Sequence, residues 1–172
     1  MFKNIAVSLL GLTLLFGTMG CNSNLTDMQK LIIADGGGLL VSTSWIAIDG
    51  PSATDMQNVA QAIDEVQVAV ANVVSGVPFS DALYPVAIEW ISRNVEAQQQ
   101  PLALAGVGVI LTGVDMFFAM NPEYLEDQGE AIAILNAFLG GAKKGLLLSP
   151  NHPAMLRARS SNAMRVHALG GQ

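Results

Sequence analysis

Cysteine occurs once in this sequence of 172 residues, at Cys21, so no disulfide can form within one chain. Histidine occurs twice, at His152 and His167, and neither has a carboxylate or thiol at metal-ligand spacing, so we expect no histidine-based metal site. The sequence also lacks a G-x-S-x-G elbow and a Walker-type phosphate loop. Because no catalytic constellation is present, we expect neither an enzyme nor a bound cofactor.

Charged residues are scarce and unevenly distributed. They make up 13% of the chain, hydrophobic residues make up 51%, and the mean hydropathy is +0.44. All 14 acidic residues lie between Asp27 and Glu130, where only Lys30 and Arg93 are basic, whereas residues 131–172 contain five basic residues and no acid. The acidic body argues against non-specific nucleic-acid binding. The high hydropathy indicates buried helices or membrane contact.

The first 20 residues have the layout of a secretion signal. A single cation, Lys3, precedes an apolar run at residues 5–16, and small residues follow up to Gly20 and Cys21. The run of about a dozen residues is shorter than the roughly 20 that a spanning helix needs. We therefore interpret residues 1–20 as a cleaved signal peptide.

The segment Thr18-Met19-Gly20-Cys21 resembles the lipobox of bacterial lipoproteins, in which a small residue precedes a cysteine that is lipidated on sulfur and becomes the new N-terminus. The resemblance is confined to the signal peptide and this segment. It implies a mature chain that begins at an acylated Cys21 on the periplasmic side of the cell envelope, and Asn22 after the cysteine implies the outer membrane if the host is Gram-negative. Two other outcomes stay open: cleavage by ordinary signal peptidase, which leaves a free thiol, and retention of the segment as a short anchor.

Helical patterning dominates residues 21–145 and predicts an all-α bundle of about five helices. In the clearest segment, 55–75, apolar residues recur at alternating steps of three and four, and polar residues occupy the opposite face. Ser52 and Thr54 offer N-caps for this helix. A further helix is predicted over 81–99. The inner stripes are Met56, Val59, Ile63, Val66, Val70 and Val73 in the first helix and Tyr84, Ile88, Ile91 and Val95 in the second.

The region before the helix at 55–75 is predicted to contain two shorter apolar segments. A helix begins at Thr26 and continues toward three successive glycines at 36–38. Each glycine costs a helix about 1 kcal/mol relative to alanine, so a break or kink is expected there. The second apolar segment, 39–48, ends in an Asp-Gly-Pro turn at 49–51.

Residues 102–120 are apolar and contain one charge, Asp115. The segment fits either a buried central helix, surrounded by its neighbours, or a transmembrane helix of minimum length. A carboxylate in hydrocarbon costs about 2.5–3.5 kcal/mol on insertion scales, and no Lys or Arg flanks the segment. We therefore favour the buried helix.

Two charged segments follow. A helix predicted to run from Pro122 to a stop at Gly140-Gly141 carries acidic residues on one face, which we interpret as a solvated surface. Residues 146–172 are predicted to be a flexible or weakly helical basic tail that contacts an anionic surface, folds back onto the acidic body or stays solvated without a partner. The acidic face consists of Glu123, Glu126, Asp127 and Glu130, and the contact residues of the tail are Arg157, Arg159 and Arg165.

Together these features predict a lipid-anchored envelope protein with a structural or interaction role, including that of an exclusion or immunity factor, and without catalysis. Its partners would be the membrane, through the lipid on Cys21, and an envelope protein that the sequence does not identify. The alternative is a membrane-inserting, pore-forming protein of the holin type, which would use residues 31–48 and 102–120 as spans.

Overall fold

The computed structural model describes residues 25–70 and 78–148, and the predicted all-α bundle of about five helices is confirmed there. No strand occurs in these two ranges. Cys21, His152, His167 and residues 149–172 of the predicted tail lie outside them, whereas residues 146–148 of that tail form the end of the last helix. The elements are α1 (Asp27–Asp49), α2 (Ala53–Ala69), α3 (Phe79–Asn94), α4 (Gln100–Met120), a 3-10 helix (Pro122–Leu125) and α5 (Gln128–Leu148).

The first two helices begin with reciprocal capping boxes formed by the predicted N-cap residues Thr26 and Ser52, whereas Thr54, the other predicted cap, lies within α2. The Thr26 hydroxyl accepts a hydrogen bond from the Gln29 amide at 3.3 Å, and the Gln29 side chain accepts one from the Thr26 amide at 2.9 Å. Ser52 and Asp55 repeat this arrangement at the start of α2, with distances of 3.2 and 2.9 Å. The predicted turn between the helices is also confirmed, because Gly50 closes α1 with a left-handed φ of 57°.

α1 is continuous through the glycines at 36–38, so the predicted helix break does not occur. Gly38 lies where α1 meets α5. A Cβ placed on Gly38 would collide with the Phe138 carbonyl oxygen and lie 2.7 Å from the Ala142 backbone nitrogen. The missing side chain therefore lets the two backbones meet, as small residues do at close helix contacts. This packing offsets the low helix propensity of glycine.

α5 passes its own glycine pair in the same way, so the predicted stop at residues 140–141 is wrong and the helix continues to Leu148. A Cβ on Gly141 would lie 2.6 Å from the carbonyl carbon of Asp35, and one on Gly145 would collide with the Ser42 side chain. At these contacts the residue numbers increase in the same direction along both helices, since Asp35 meets Gly141 and Ser42 meets Gly145. α1 and α5 are therefore parallel neighbours.

α4 packs against the opposite flank of α1 and runs antiparallel to it. A Cβ on Gly106 would lie 2.7 Å from the Trp45 ring, and one on Gly113 would lie 2.9 Å from Val41. α3 packs against α4, and α2 packs against α3, α4 and α5. The order around the bundle is therefore α4, α1, α5, α2 and α3, with α1 between α4 and α5.

The buried stripe predicted for α2 is confirmed within the described residues, whereas the buried stripe of α3 differs from the predicted one. In α2 the predicted stripe is buried from Met56 to Val70, and Val73 lies outside the described residues. In α3 the buried residues are Leu83, Ala87 and Ile91; of the predicted stripe Ile91 and Val95 are buried, Tyr84 is partly buried and Ile88 is 42% exposed. The α3 stripe is rotated because this helix packs against both α2 and α4.

Candidate functional site

The predicted site residues lie toward the two ends of the chain, outside the described residues. The described helices nevertheless show to which helix end each of these two segments is joined. Cys21 precedes Thr26, the N-cap of α1, by five residues. The segment with Arg157, Arg159 and Arg165 follows Leu148, the last residue of α5. Because α1 and α5 are parallel, the two segments leave from opposite ends of this helix pair.

The predicted acidic helical face is not formed. The chain after Asn121 makes the 3-10 helix that contains Glu123, and α5 begins only at Gln128. Asp127 precedes α5, and its Oδ1 accepts a hydrogen bond from the Glu130 amide at 2.8 Å, as a capping carboxylate does. Glu130 lies within the first turn of α5 and pairs with a lysine of α1, so the acidic residues have separate roles.

That ion pair joins the start of α1 to the start of α5. The Lys30 ammonium donates a hydrogen bond to Glu130 Oε1 and lies 5.5 Å from the centre of the Tyr124 ring. The hydrogen bond with Glu130 raises the pKa of Lys30. Burial raises the pKa of Tyr124, and the negative charge of Glu123 adds to the effect. The cluster holds two helix ends and the 3-10 helix together.

Asp115, the one charge in the apolar segment 102–120, caps a neighbouring helix. Its Oδ1 accepts a hydrogen bond from the Ser80 amide at 3.2 Å, in the first turn of α3. α3 has Pro78 at its N-cap position and receives no side-chain cap from its own sequence. A carboxylate at a helix N-terminus satisfies a free amide and complements the helix dipole. Asp115 thus has a structural role in the contact between α3 and α4.

Asp115→Ala is expected to lower the free energy of unfolding by about 1 kcal/mol, the usual cost of losing an N-cap. Asp115→Asn keeps an oxygen acceptor and should recover most of that loss. Urea denaturation of the three proteins, followed by circular dichroism, measures the difference. Equal stability of the alanine variant and the parent would contradict the capping role.

A groove of about 290 Å³ lies between α3 and α4. Its ionisable side chains are Asp81 and Tyr84, and the Tyr84 hydroxyl donates to the Leu104 carbonyl at 3.4 Å. Within residues 25–70 and 78–148, no group of three or more His, Cys, Asp or Glu side chains could hold a metal ion. The groove is lined by Ser80, Asp81, Tyr84, Gly108, Leu111 and Thr112.

The outer surface formed by α4, α1 and α5, here called the apolar side, is the most unusual feature of the bundle. Lys144 is the one exposed charged residue of α4, of α5 and of α1 without its two end residues. It pairs with Asp35. Asp27 and Asp49, at the two ends of α1, are also exposed, and the remaining charged side chains of these helices are partly buried. The apolar side exposes Met28, Ile32, Thr43, Ala47 and Ile48 of α1, Ala105, Val109 and Ala119 of α4, and Ala133, Leu147 and Leu148 of α5.

The remaining two helices present a different outer surface. α2 exposes Gln57, Gln61 and Glu65, and α3 exposes Asp81 and Glu89 among other polar residues. Isolated apolar residues also occur on this surface, but single exposed apolar side chains are ordinary. The bundle is therefore divided into an apolar side of three helices and an acidic, polar side of two.

The three helices of the apolar side are each long and apolar enough to cross a membrane. Two of them contain the segments 31–48 and 102–120 that the sequence indicates as alternative spans, and α5 is a third. α4 is not surrounded on all sides, as a fully buried central helix would be, because Val109 is 42% exposed and Ala105 is exposed as well. The third helix is not apparent from the sequence because its glycine pair suggests a helix end.

Comparison of the chain with models of protein families, with curated proteins and with solved structures found no match.

Proposed function

We propose that the protein is a lipid-anchored, non-enzymatic protein of the cell envelope that acts by presenting its helical bundle to an envelope partner. An exclusion or immunity factor, which blocks a partner at the membrane, is one form of this role. The lipid on Cys21 attaches the chain to the periplasmic face of a membrane, the outer membrane if the host is Gram-negative.

One observation carries the proposal: the distance along the chain from Cys21 to the start of α1. Thr26 lies five positions after Cys21, and a fully extended chain spans about 3.3–3.6 Å per residue. A lipid on Cys21 would therefore hold the first turn of α1 within about 18 Å of its attachment point. A tether this short keeps a bundle with its own core close to the bilayer without requiring any helix to cross it.

Mass spectrometry of the mature N-terminus tests the proposal. The expected result is an N-terminal peptide that starts at Cys21 and carries the mass of a diacylglyceryl group, whereas Cys21→Ser should keep residues 1–20 and carry no lipid. A mature protein with a free thiol at Cys21 would overturn the lipid anchor and support ordinary signal cleavage. Unprocessed parent protein would overturn it in favour of an uncleaved anchor.

A second candidate function is favoured by the direction of the three apolar helices. α4 runs antiparallel to α1, and α5 runs parallel to α1, which is the alternation that three successive membrane spans require. A membrane-inserting, pore-forming protein of the holin type would use them in this way. The ion pair of Lys144 and Asp35 and the polar outer surface of α2 would then have to be moved out of the hydrocarbon, because charged and polar side chains are costly there. We therefore prefer the tethered bundle.

A further inference from the structure

We propose that the bundle lies flat on the bilayer, with the apolar side against an anionic lipid surface and α2 and α3 facing away. This orientation deepens the proposed function and rests on it for one of its two attachment points, the lipid on Cys21. The second attachment point is the basic segment after α5. The apolar side lies between these two points and contacts the lipid surface itself.

The directions of α1 and α5 support a flat orientation. The lipid site leaves from the N-terminal end of α1 and the basic segment leaves from the C-terminal end of α5, which lie at opposite ends of the parallel pair. An α-helix rises 1.5 Å per residue, so the 21 residues of α5 span about 31 Å. An upright bundle would raise Leu148 by about this distance, so Arg157 would reach lipid only through a nearly fully extended chain, whereas Arg165, 17 residues after Leu148, would reach it in either orientation. In a flat bundle both ends lie at the surface.

The charge distribution selects the side that faces the lipid. The polar side exposes Glu65, Asp81 and Glu89, which an anionic surface would repel. The apolar side carries Lys144, which pairs with Asp35, as its one exposed charge between the ends of α1 and along α4 and α5, and its exposed acids Asp27 and Asp49 lie at the two ends of α1. Its exposed apolar side chains, such as Ile32 at 65% and Val109 at 42%, gain by leaving water for the interfacial region.

The basic segment adds charge complementarity. Residues 149–172 contain Arg157, Arg159 and Arg165 and no acidic residue. Basic residues next to an anionic leaflet are attracted to it, and the attraction decreases with salt. The segment follows directly after Leu148 of the apolar side, so its arginines and this side can contact the same surface.

The single cysteine allows a direct test of orientation. In the lipidated mature protein the sulfur of Cys21 carries a diacylglyceryl group as a thioether, so an introduced cysteine is the one free thiol. Thr43→Cys places a thiol on the apolar side, and Gln61→Cys places a matched exposed thiol on α2. Each variant is labelled with an environment-sensitive fluorophore and reconstituted into vesicles of phosphatidylcholine and phosphatidylglycerol that contain lipids with spin-label quenchers.

The expected result is a blue-shifted probe at residue 43 that is quenched by spin labels near the headgroups, and a water-exposed probe at residue 61 that is not quenched. The triple change Arg157→Gln, Arg159→Gln and Arg165→Gln should reduce the shift at residue 43. Equal, water-like signals at both positions would overturn the flat orientation. Quenching at residue 43 by labels at the bilayer centre would overturn it in favour of insertion, and a shift that depends on protein concentration without vesicles would assign the apolar side to a second copy.

The parent protein separates this proposal from the lipid anchor. If the parent takes up the label, Cys21 is free and the proposed function fails. The orientation is then read from the double variants Cys21→Ser/Thr43→Cys and Cys21→Ser/Gln61→Cys, expressed behind a signal that ordinary signal peptidase cleaves. Shallow quenching at residue 43 alone would still support contact between the apolar side and lipid, and its absence would overturn that contact.

Discussion

Gly38→Ala is expected to lower the free energy of unfolding by about 3 kcal/mol, the upper part of the range for overpacking. The new Cβ would collide with the Phe138 carbonyl oxygen and stand 2.7 Å from the Ala142 nitrogen. Both atoms belong to the α5 backbone, so no side-chain rotation can relieve the clash. α1 and α5 would have to separate along their whole contact.

Gly36→Ala is the matched control for this change. It lies two residues away in the same helix, and nothing would lie within 4 Å of its Cβ. Alanine should therefore raise stability by up to about 1 kcal/mol through helix propensity alone. Urea denaturation of the lipid-free chain compares the two variants. Similar effects of both substitutions would contradict the backbone contact between α1 and α5.

Phe138→Ala is expected to lower the free energy of unfolding by about 3–5 kcal/mol, the usual cost of removing a buried aromatic side chain. The ring is fully buried on α5, and its centre lies 5.5 Å from that of Phe117 on α4. A Cβ on Gly113 would lie 3.4 Å from the tip of the Phe138 ring. The truncation therefore leaves a cavity between α4 and α5.

Leu148→Ala provides the control on the same helix, because this side chain is 58% exposed. Its effect should stay within about 0.5 kcal/mol, as for most surface substitutions. Denaturant titration monitored by circular dichroism measures both changes. A loss below about 1 kcal/mol for Phe138→Ala would contradict the packing of α4 and α5 around this ring.

Features governed by neighbours in the sequence could be predicted from it. The capping residues Thr26 and Ser52 lie three positions from their partners, and the turn at Gly50 follows from its own conformational freedom. The α2 stripe was also predictable, because one apolar face and one polar face identify which side of the helix is buried. These contacts depend on spacing within about one turn.

Features governed by distant residues could not be predicted. Glycine lowers helix propensity, but at Gly38 and Gly141 it also permits a close contact between two helices more than 100 residues apart. Whether the low helix propensity or the close contact dominates depends on the partner helix, and the local sequence does not specify that helix. Ser80, the partner of Asp115, is also 35 residues away. The candidate site was missed for the same reason, since the apolar side exists only when α4, α1 and α5 become neighbours.

We propose that a lipid on Cys21, and no membrane-spanning helix, retains the protein in the membrane. Alkaline carbonate extraction distinguishes these two modes of attachment. The parent is compared with Cys21→Ser expressed behind a signal peptide that ordinary signal peptidase cleaves, so that no uncleaved segment remains. We expect the parent to stay in the membrane pellet and the serine variant to be released into the supernatant. Retention of the serine variant in the pellet would contradict the claim and favour insertion of α1, α4 and α5.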